Sequence, residues 1–232
     1  MTTNGPAATP RVVAVVTAHD EADRIAETVR HLAQLPAVHE VVVVDDGSAD
    51  RTAEVARAAG ARVLAARRRL GKGGALDRAL DEVGDAGVFL LVDGDVAGTA
   101  GAASALLDPV VAGEADAAIG RLPGQAGGGL GSVKRLAAVL IGLLGGFQAQ
   151  EPLSGQRAVT AEALAACRPL AGGFGVETAM TIDLCRLGFR VVEVDVSMTH
   201  RPTGRTLRGF AHRGRQGFDI LLAAIPRALR LR

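Results

Sequence analysis

Val88-Phe89-Leu90-Leu91-Val92-Asp93-Gly94-Asp95 is an apolar run that stops at two carboxylates bracketing a glycine. The run reads as a strand, and the glycine permits the turn that lets both carboxylates reach one cation. The same design recurs upstream. Val12-Val13-Ala14-Val15-Val16 opens into Thr17-Ala18-His19-Asp20-Glu21, and Val41 to Val44 opens into Asp45-Asp46-Gly47-Ser48-Ala49-Asp50. Arg62 to Ala65 is followed by the segment Arg67 to Gly74. The Val12 run is continuous rather than alternating, the pattern of a strand buried on both faces. Between these runs lie helix patterns: Ile25, Val29, Leu32 and Leu35 at helical spacing, about Arg51 to Ala59 with Gly60 as a left-handed cap, and Gly73 to Val83.

Strand and helix therefore alternate from residue 12 to residue 92, which predicts an α/β fold: a mainly parallel sheet flanked by helices. In such sheets a ligand sits beyond the carboxyl ends of the strands. Four polar or glycine-bearing segments are thus expected to converge on one rim. Further along, Ala102 to Ala112 reads as a helix and Ala115 to Ile119 as a strand. Val176 to Leu187 reads as a helix stopped by Gly188, and Val191 to Val196 as a strand. The glycine-rich stretch Pro123 to Gly131 is open between a lid and a plain connection.

The chain has 232 residues, 26 basic and 25 acidic, for a net charge of +1. That near-neutrality hides a split. From Arg201 onward there are eight arginines against one acid, Asp219, while the first 200 residues carry −6. Only Lys72 and Lys134 are lysines. A hydrophobic content of 48% and a mean hydropathy of +0.24 exclude a disordered chain. Cys167 and Cys185 offer no disulfide framework or metal spacing, which suits a reducing cytoplasm. No secretory signal is seen in residues 1–10, and the longest uncharged apolar stretch, Leu136 to Gln150, is too short to span a bilayer. The absence of Trp and Tyr, with the basic excess confined to the end, argues against nucleic acid. The expected organisation is a flexible 1–10, one domain over 11–206 and a basic amphipathic helical tail over 207–232.

Each chemical signal competes with a plainer reading. Asp93-Gly94-Asp95 suits a hard divalent cation completed by substrate phosphates, against a surface turn. Asp46 in the turn after the second strand suits a nucleoside imide or ribose hydroxyl, against helix capping by Ser48 or Asp50. Arg67 to Gly74 places cations and flexible backbone ahead of a helix N-terminus, as a diphosphate requires, against a solvated charge run. It has neither the P-loop nor the dinucleotide-binding glycine spacing.

Taken in order, Thr17-Ala18-His19-Asp20-Glu21, Val43-Val44-Asp45-Asp46-Gly47-Ser48-Ala49-Asp50, Gly71-Lys72-Gly73-Gly74-Ala75-Leu76 and Asp93-Gly94-Asp95 resemble the signatures of GT-A fold, family-two-like glycosyltransferases. The usual forms are P-A-x-N-E, V-D-D-G-S-x-D, G-K-G-x-A-L and D-x-D. The first departs here, with Thr17 for proline and Asp20 for asparagine. Glu151-Pro152-Leu153-Ser154-Gly155-Gln156-Arg157-Ala158, Gly172 to Glu177 and Thr199-His200-Arg201 look like segments of glucosyl-3-phosphoglycerate synthases and their bacterial relatives.

The resemblance implies a GT-A fold and transfer of a sugar from a UDP- or GDP-linked donor with Mg2+ or Mn2+. It implies a nucleotide site from Thr17, Ala18, His19, Glu21, Asp46, Gly47, Ser48, Gly71, Lys72, Gly73, Asp93 and Gly94. Asp95 and His200 would hold the metal, Asp93, Asp95, Lys72 and Glu177 would carry the reaction, and Glu177 would face the donor sugar. A histidine after the strand Val191 to Val196 makes physical sense as a metal ligand. Glu177 could instead only complement a helix dipole, and Asp183 is read as structural.

The acceptor is left between a small phosphorylated molecule such as 3-phosphoglycerate and a polyprenyl phosphate. Arg121, Arg201 and Arg205 suit either, with Ser154, Gly155 and Gly173 beside them. Leu207, Phe210, Ala211, Gly214, Phe218, Leu221, Leu222, Ile225 and Leu229 form one helical stripe in the tail. Packing of that stripe onto the core or a second copy is favoured over contact with the inner face of a membrane. Retention or inversion stays open. A sugar-phosphate nucleotidyltransferase and a non-catalytic nucleotide-binding module are the competing classes. The first expects a G-x-G-x-R loop where this chain has Thr17 to Asp20.

Overall fold

The computed structural model describes residues 9–122, 131–199 and 207–229, with side chains from residue 216 onward in the last segment. Seven strands form one sheet: β1 (Val12–Ala18), β2 (Val38–Asp45), β3 (Arg62–Ala65), β4 (Val88–Asp93), β5 (Ala117–Arg121), β6 (Arg157–Thr160) and β7 (Val191–Asp195). Their order is β3-β2-β1-β4-β6-β5-β7. The first four are parallel, as the alternating pattern predicted. β6 was not foreseen, and it runs antiparallel to both β4 and β5. The sheet is therefore mixed.

Residues Val12 to Val16 are at most 1% exposed because both faces of β1 are covered. Val12, Ala14 and Val16 pack with Ile25, Val29 and Leu32 of α1 (Ile25–Ala33), Ala56 of α2 (Thr52–Ala58) and Leu106 of α4 (Ser104–Val111). Val13 and Val15 face the opposite layer: Leu76 and Ala79 of α3 (Gly71–Glu82), Leu164 of α6 (Ala161–Ala166) and Met180 and Leu184 of α7 (Val176–Arg186). The predicted helix Ala102 to Ala112 is split. A 3-10 segment occupies Ala97–Ala103 before α4 begins.

α5 (Gly131–Gly145) and α8 (Leu207–Ala228) complete the structure. The predicted tail packs on the core, but by the face opposite to expectation. Ile220, Ala223, Ala224 and Arg227 are buried, whereas Phe218, Leu221, Leu222, Ile225 and Leu229 of the apolar stripe are exposed. Close approach makes this packing possible. A Cβ on Gly175 would collide with Ala223 and the Asp219 backbone, and one on Gly173 with the Asp219 carboxylate. Arg227 locks the contact: its Nε donates to Asp183 Oδ1 at 2.8 Å and its Nη2 to Asp183 Oδ2. Asp183 is structural, as its position suggested.

Arg227→Ala is expected to cost about 3–5 kcal/mol in chemical denaturation, because it strands a buried carboxylate. Replacing the pair together, Asp183→Leu with Arg227→Met, should recover most of that loss. A single variant as stable as wild type would show that the pair does not anchor α8.

Candidate active site

Strand register decides where the site lies. Parallel pairing sets Ala18 opposite Asp45, Thr17 opposite Asp93 and Asp45 opposite Ala65, so all four polar segments emerge on one rim. β6 adds a fifth contributor because of its reversed direction. Leu91 pairs with Arg157, so the segment entering β6, rather than the one leaving it, lands beside Asp93.

The rim is built before any ligand is considered. Asp20 adopts a left-handed conformation with φ +56°, tolerable for Asp or Asn, and its Oδ1 accepts from Ala49 N at 2.8 Å. Glu21 N donates to Thr52 Oγ1 at 2.8 Å, and Asp20 N to Ser48 Oγ at 3.0 Å. These bonds tie the loop after β1 to the loop after β2. Asp45 accepts from both the backbone and the hydroxyl of Ser48 across Gly47, whose φ is +70°. The D-G-D turn is held equally firmly. Gly94 N donates to Thr17 O at 3.0 Å, Thr28 Oγ1 to Gly94 O at 3.0 Å and Arg24 Nη1 to Asp95 O at 3.0 Å.

A cleft of about 860 Å³ opens on this rim. Of the expected nucleotide-binding residues, Thr17, Ala18, His19, Asp46, Gly71, Lys72 and Asp93 line it, joined by Gly173 and Glu177. Glu21, Gly47, Ser48, Gly73 and Gly94 are not among the lining residues, nor are Ser154, Gly155 and Asp95. Asp46 has a second job: its carboxylate accepts from Leu70 N at 2.5 Å and Gly71 N at 3.0 Å, shaping the start of α3. Gly73 allows α3 to approach the backbone at Ala171, where a Cβ would collide.

The centre of the cleft is Lys72. Its Nζ lies 2.5 Å from Asp93 Oδ1 and 2.8 Å from Glu177 Oε1. Burial alone would lower its pKa, but the two carboxylates overcome that penalty and hold it above the ordinary lysine value. Its charge is therefore fixed throughout the neutral and mildly alkaline range. Asp93 Oδ2 accepts from Gln156 Nε2 at 2.8 Å, and Gln156 Oε1 accepts from Asp93 N at 3.3 Å. Arg157 lies behind Glu177 and Asp93, 1% exposed, donating to Ser154 O and Thr181 Oγ1. Burial pulls its guanidinium below the usual value, and the nearby carboxylates oppose that shift.

Several site residues escaped the sequence reading. Gln156 is one. Leu153 and Phe174 line the cleft, as do Gln216, Asp219 and Ile220 of α8, while Arg69 and Leu70 line it from the segment already read as suited to a diphosphate. Asp219 Oδ2 accepts from Phe174 N at 3.2 Å. Gln216 Oε1, though buried, has no hydrogen-bond partner among the described residues. Arg121 lies apart from the cleft, paired with Asp195 and Gln150. His200, Arg201 and Arg205 fall outside the described residues.

The site arrangement can be set beside known proteins. Residues 13–160 match the family described as Glycosyl transferase family 2. The chain belongs to glycosyl transferase family 2. It is 31% identical over 202 residues to Glycosyltransferase AglJ of Haloferax volcanii, an alignment covering 84% of this chain and 66% of that protein. The chain thus spans just under two thirds of the length of that relative.

Two crystal structures of glucosyl-3-phosphoglycerate synthase from Mycobacterium tuberculosis superpose at a TM-score of 0.80 over 95% of this chain and 80% of theirs. One, 26% identical, is a complex with Mn2+, UDP-glucose and phosphoglyceric acid. The other, 28% identical, holds Mg2+ and UDP. The GT-A fold expected for this family-two chain is confirmed.

Among the described residues no three His, Cys, Asp or Glu side chains converge as a ready metal cage. That donor set still fits Mg2+ or Mn2+, which use one or two carboxylates and complete their shell with substrate phosphate and water. Asp95, which follows Gly94 in the hydrogen-bonded turn after β4, would be such a carboxylate.

Gly155 gives the sharpest test of this geometry. A Cβ there would collide with Lys72 Nζ and Asp93, both of which can move without disturbing the fold. Gly155→Ala is expected to lower turnover about 10²-fold with little change in thermal midpoint, as a displacement near 1 Å at a reacting centre does. Undiminished turnover would show that the contacts of Lys72 are not critical.

Proposed function

We propose that the protein transfers a sugar from a UDP- or GDP-linked nucleoside diphosphate sugar to a hydroxyl of a phosphate-bearing acceptor such as 3-phosphoglycerate, using Mg2+ or Mn2+. One observation carries the reading: Lys72 is fixed between Asp93 and Glu177 in a cleft whose described lining sets Asp46, Asp93, Glu177 and Asp219 against Arg69 and Lys72 as cations. Four carboxylates against two cations would repel a diphosphate. A divalent cation held by Asp95 and His200 would remove that repulsion and stabilise the charge on the departing diphosphate.

The other roles belong to side chains of this chain. Asp46 braces the loop that meets the diphosphate, through Leu70 N and Gly71 N. Lys72 supplies a preorganised positive charge where negative charge develops on the leaving group. Glu177 faces the cleft where the donor sugar would lie, oriented by Lys72. Leu70, Leu153, Phe174 and Ile220 give the cleft its apolar wall. The anomeric carbon–oxygen bond breaks with its electron pair leaving on the diphosphate, and the acceptor oxygen forms the new bond and gives up its proton. The mycobacterial synthase with bound UDP-glucose and phosphoglyceric acid supports this choice of donor and acceptor class. A polyprenyl phosphate is the second acceptor class. It is favoured by the exposed apolar face of α8, whose neighbouring face walls the cleft.

Incubation with UDP- and GDP-sugars and Mn2+ or Mg2+ is expected to release nucleoside diphosphate, faster when a phosphorylated acceptor is present. A chelator should abolish the release. Asp95→Ala should lower it about 10²-fold or more, the scale of other fixed electrostatic groups. Full turnover in the chelator, or near wild-type transfer by the variant, would sink this reading.

A further inference from the structure

Every exposed residue of α8 from position 218 onward is apolar: Phe218, Leu221, Leu222, Ile225, Ala228 and Leu229. They recur at spacings of three and four, so they form one ridge about 17 Å long at 1.5 Å per residue. Helix α5, which packs against α8, also exposes Val139 and Leu143, the latter 77% exposed. A soluble surface rarely leaves so many large apolar groups together unless something covers them.

We propose that this ridge seats the protein on an anionic lipid surface. Charge decides between the candidate occupants. The segment from Arg201 to the end carries eight arginines and a single acid. Arg227 is buried against Asp183, and the one acid, Asp219, is turned to the cleft and to Phe174 N. The remaining seven arginines precede or follow the ridge in sequence, and their side chains lie outside the described residues. A second copy docking through the same ridge would bring two such basic segments together, because a two-fold interface is self-complementary. An anionic bilayer answers both properties at once: its acyl boundary takes the apolar ridge and its headgroups take the arginines. No described helix is long and apolar enough to cross a membrane, so the contact is peripheral. Gln216, Asp219 and Ile220 line the cleft from the same helix, so a seated protein holds its cleft close to the lipid surface.

The test needs no donor and stands apart from the transfer reaction. The full-length protein is floated with vesicles of phosphatidylcholine alone or mixed with phosphatidylglycerol, and its oligomeric state is followed by sedimentation. It is expected to rise with the phosphatidylglycerol vesicles only and to be released by raised salt. Leu222→Gln with Ile225→Gln, both on the exposed face, should lower the partition about tenfold or more while leaving the thermal midpoint unchanged. The proposal falls if the wild-type protein ignores anionic vesicles or if the double variant binds them undiminished. It falls equally if the chain sediments as a dimer that the double variant dissociates, which would assign the ridge to a second copy.

Discussion

The ammonium of Lys72 between Asp93 and Glu177 is the constraint on which the site depends. The three groups come from the start of α3, the end of β4 and the start of α7, so one cation ties the amino-terminal sheet to the later helices. Two carboxylates this close to one point would repel each other without it. With it, they hold the lysine charged against the cost of its burial. The sign follows: a lysine whose folded pKa is raised contributes its full stabilisation below its unfolded value and loses it only as pH climbs above that value. The surroundings are shaped to this triad. Gly155 leaves room for the ammonium, and Gln156 occupies the carboxylate oxygen that Lys72 does not.

Around that centre, the motif residues divide between lining the cleft and building it. Asp20, Asp45, Ser48 and Thr52 spend their hydrogen bonds on one another and on backbone, locking two loops together. Asp46 does both, with an oxygen on each of two backbone amides and an edge in the cleft. Of the two capping candidates in the turn after the second strand, Asp50 accepts from Thr52 N at the start of α2, whereas the Ser48 hydroxyl donates to Asp45. Asp45 and Ser48 stabilise the turn, and Asp46 reaches the cavity.

The first half of the fold was legible because its strands are buried on both faces and so appear as unbroken apolar runs, each ending in a polar segment. β6 left no such signal. Arg157-Ala158-Val159-Thr160 is only four residues, and it is held by neighbours 38 and more positions away in β5 and β4. Missing its direction meant missing Gln156, since a reversed strand presents its entrance to the rim. The apolar periodicity of α8 was also legible, but not which face it would bury. Periodicity finds the most hydrophobic stripe, whereas packing here follows two glycines at positions 173 and 175 and an ion pair from Asp183, which favour a small-residue face.

That choice of face gives the last helix its character. A tail attached through Phe218, Leu221 and Leu222 would have hidden its apolar surface and turned Gln216, Asp219 and Arg227 to water. The observed attachment places Gln216 and Asp219 on the cleft wall and spends Arg227 on Asp183. The basic excess at the end of the sequence is thus not a uniform positive surface. One arginine serves the fold and the single acid serves the cleft. The positive charge left over belongs to a segment whose exposed helical face is entirely apolar from Phe218 on. The acidic cleft wall and the exposed apolar ridge are therefore neighbouring faces of one element.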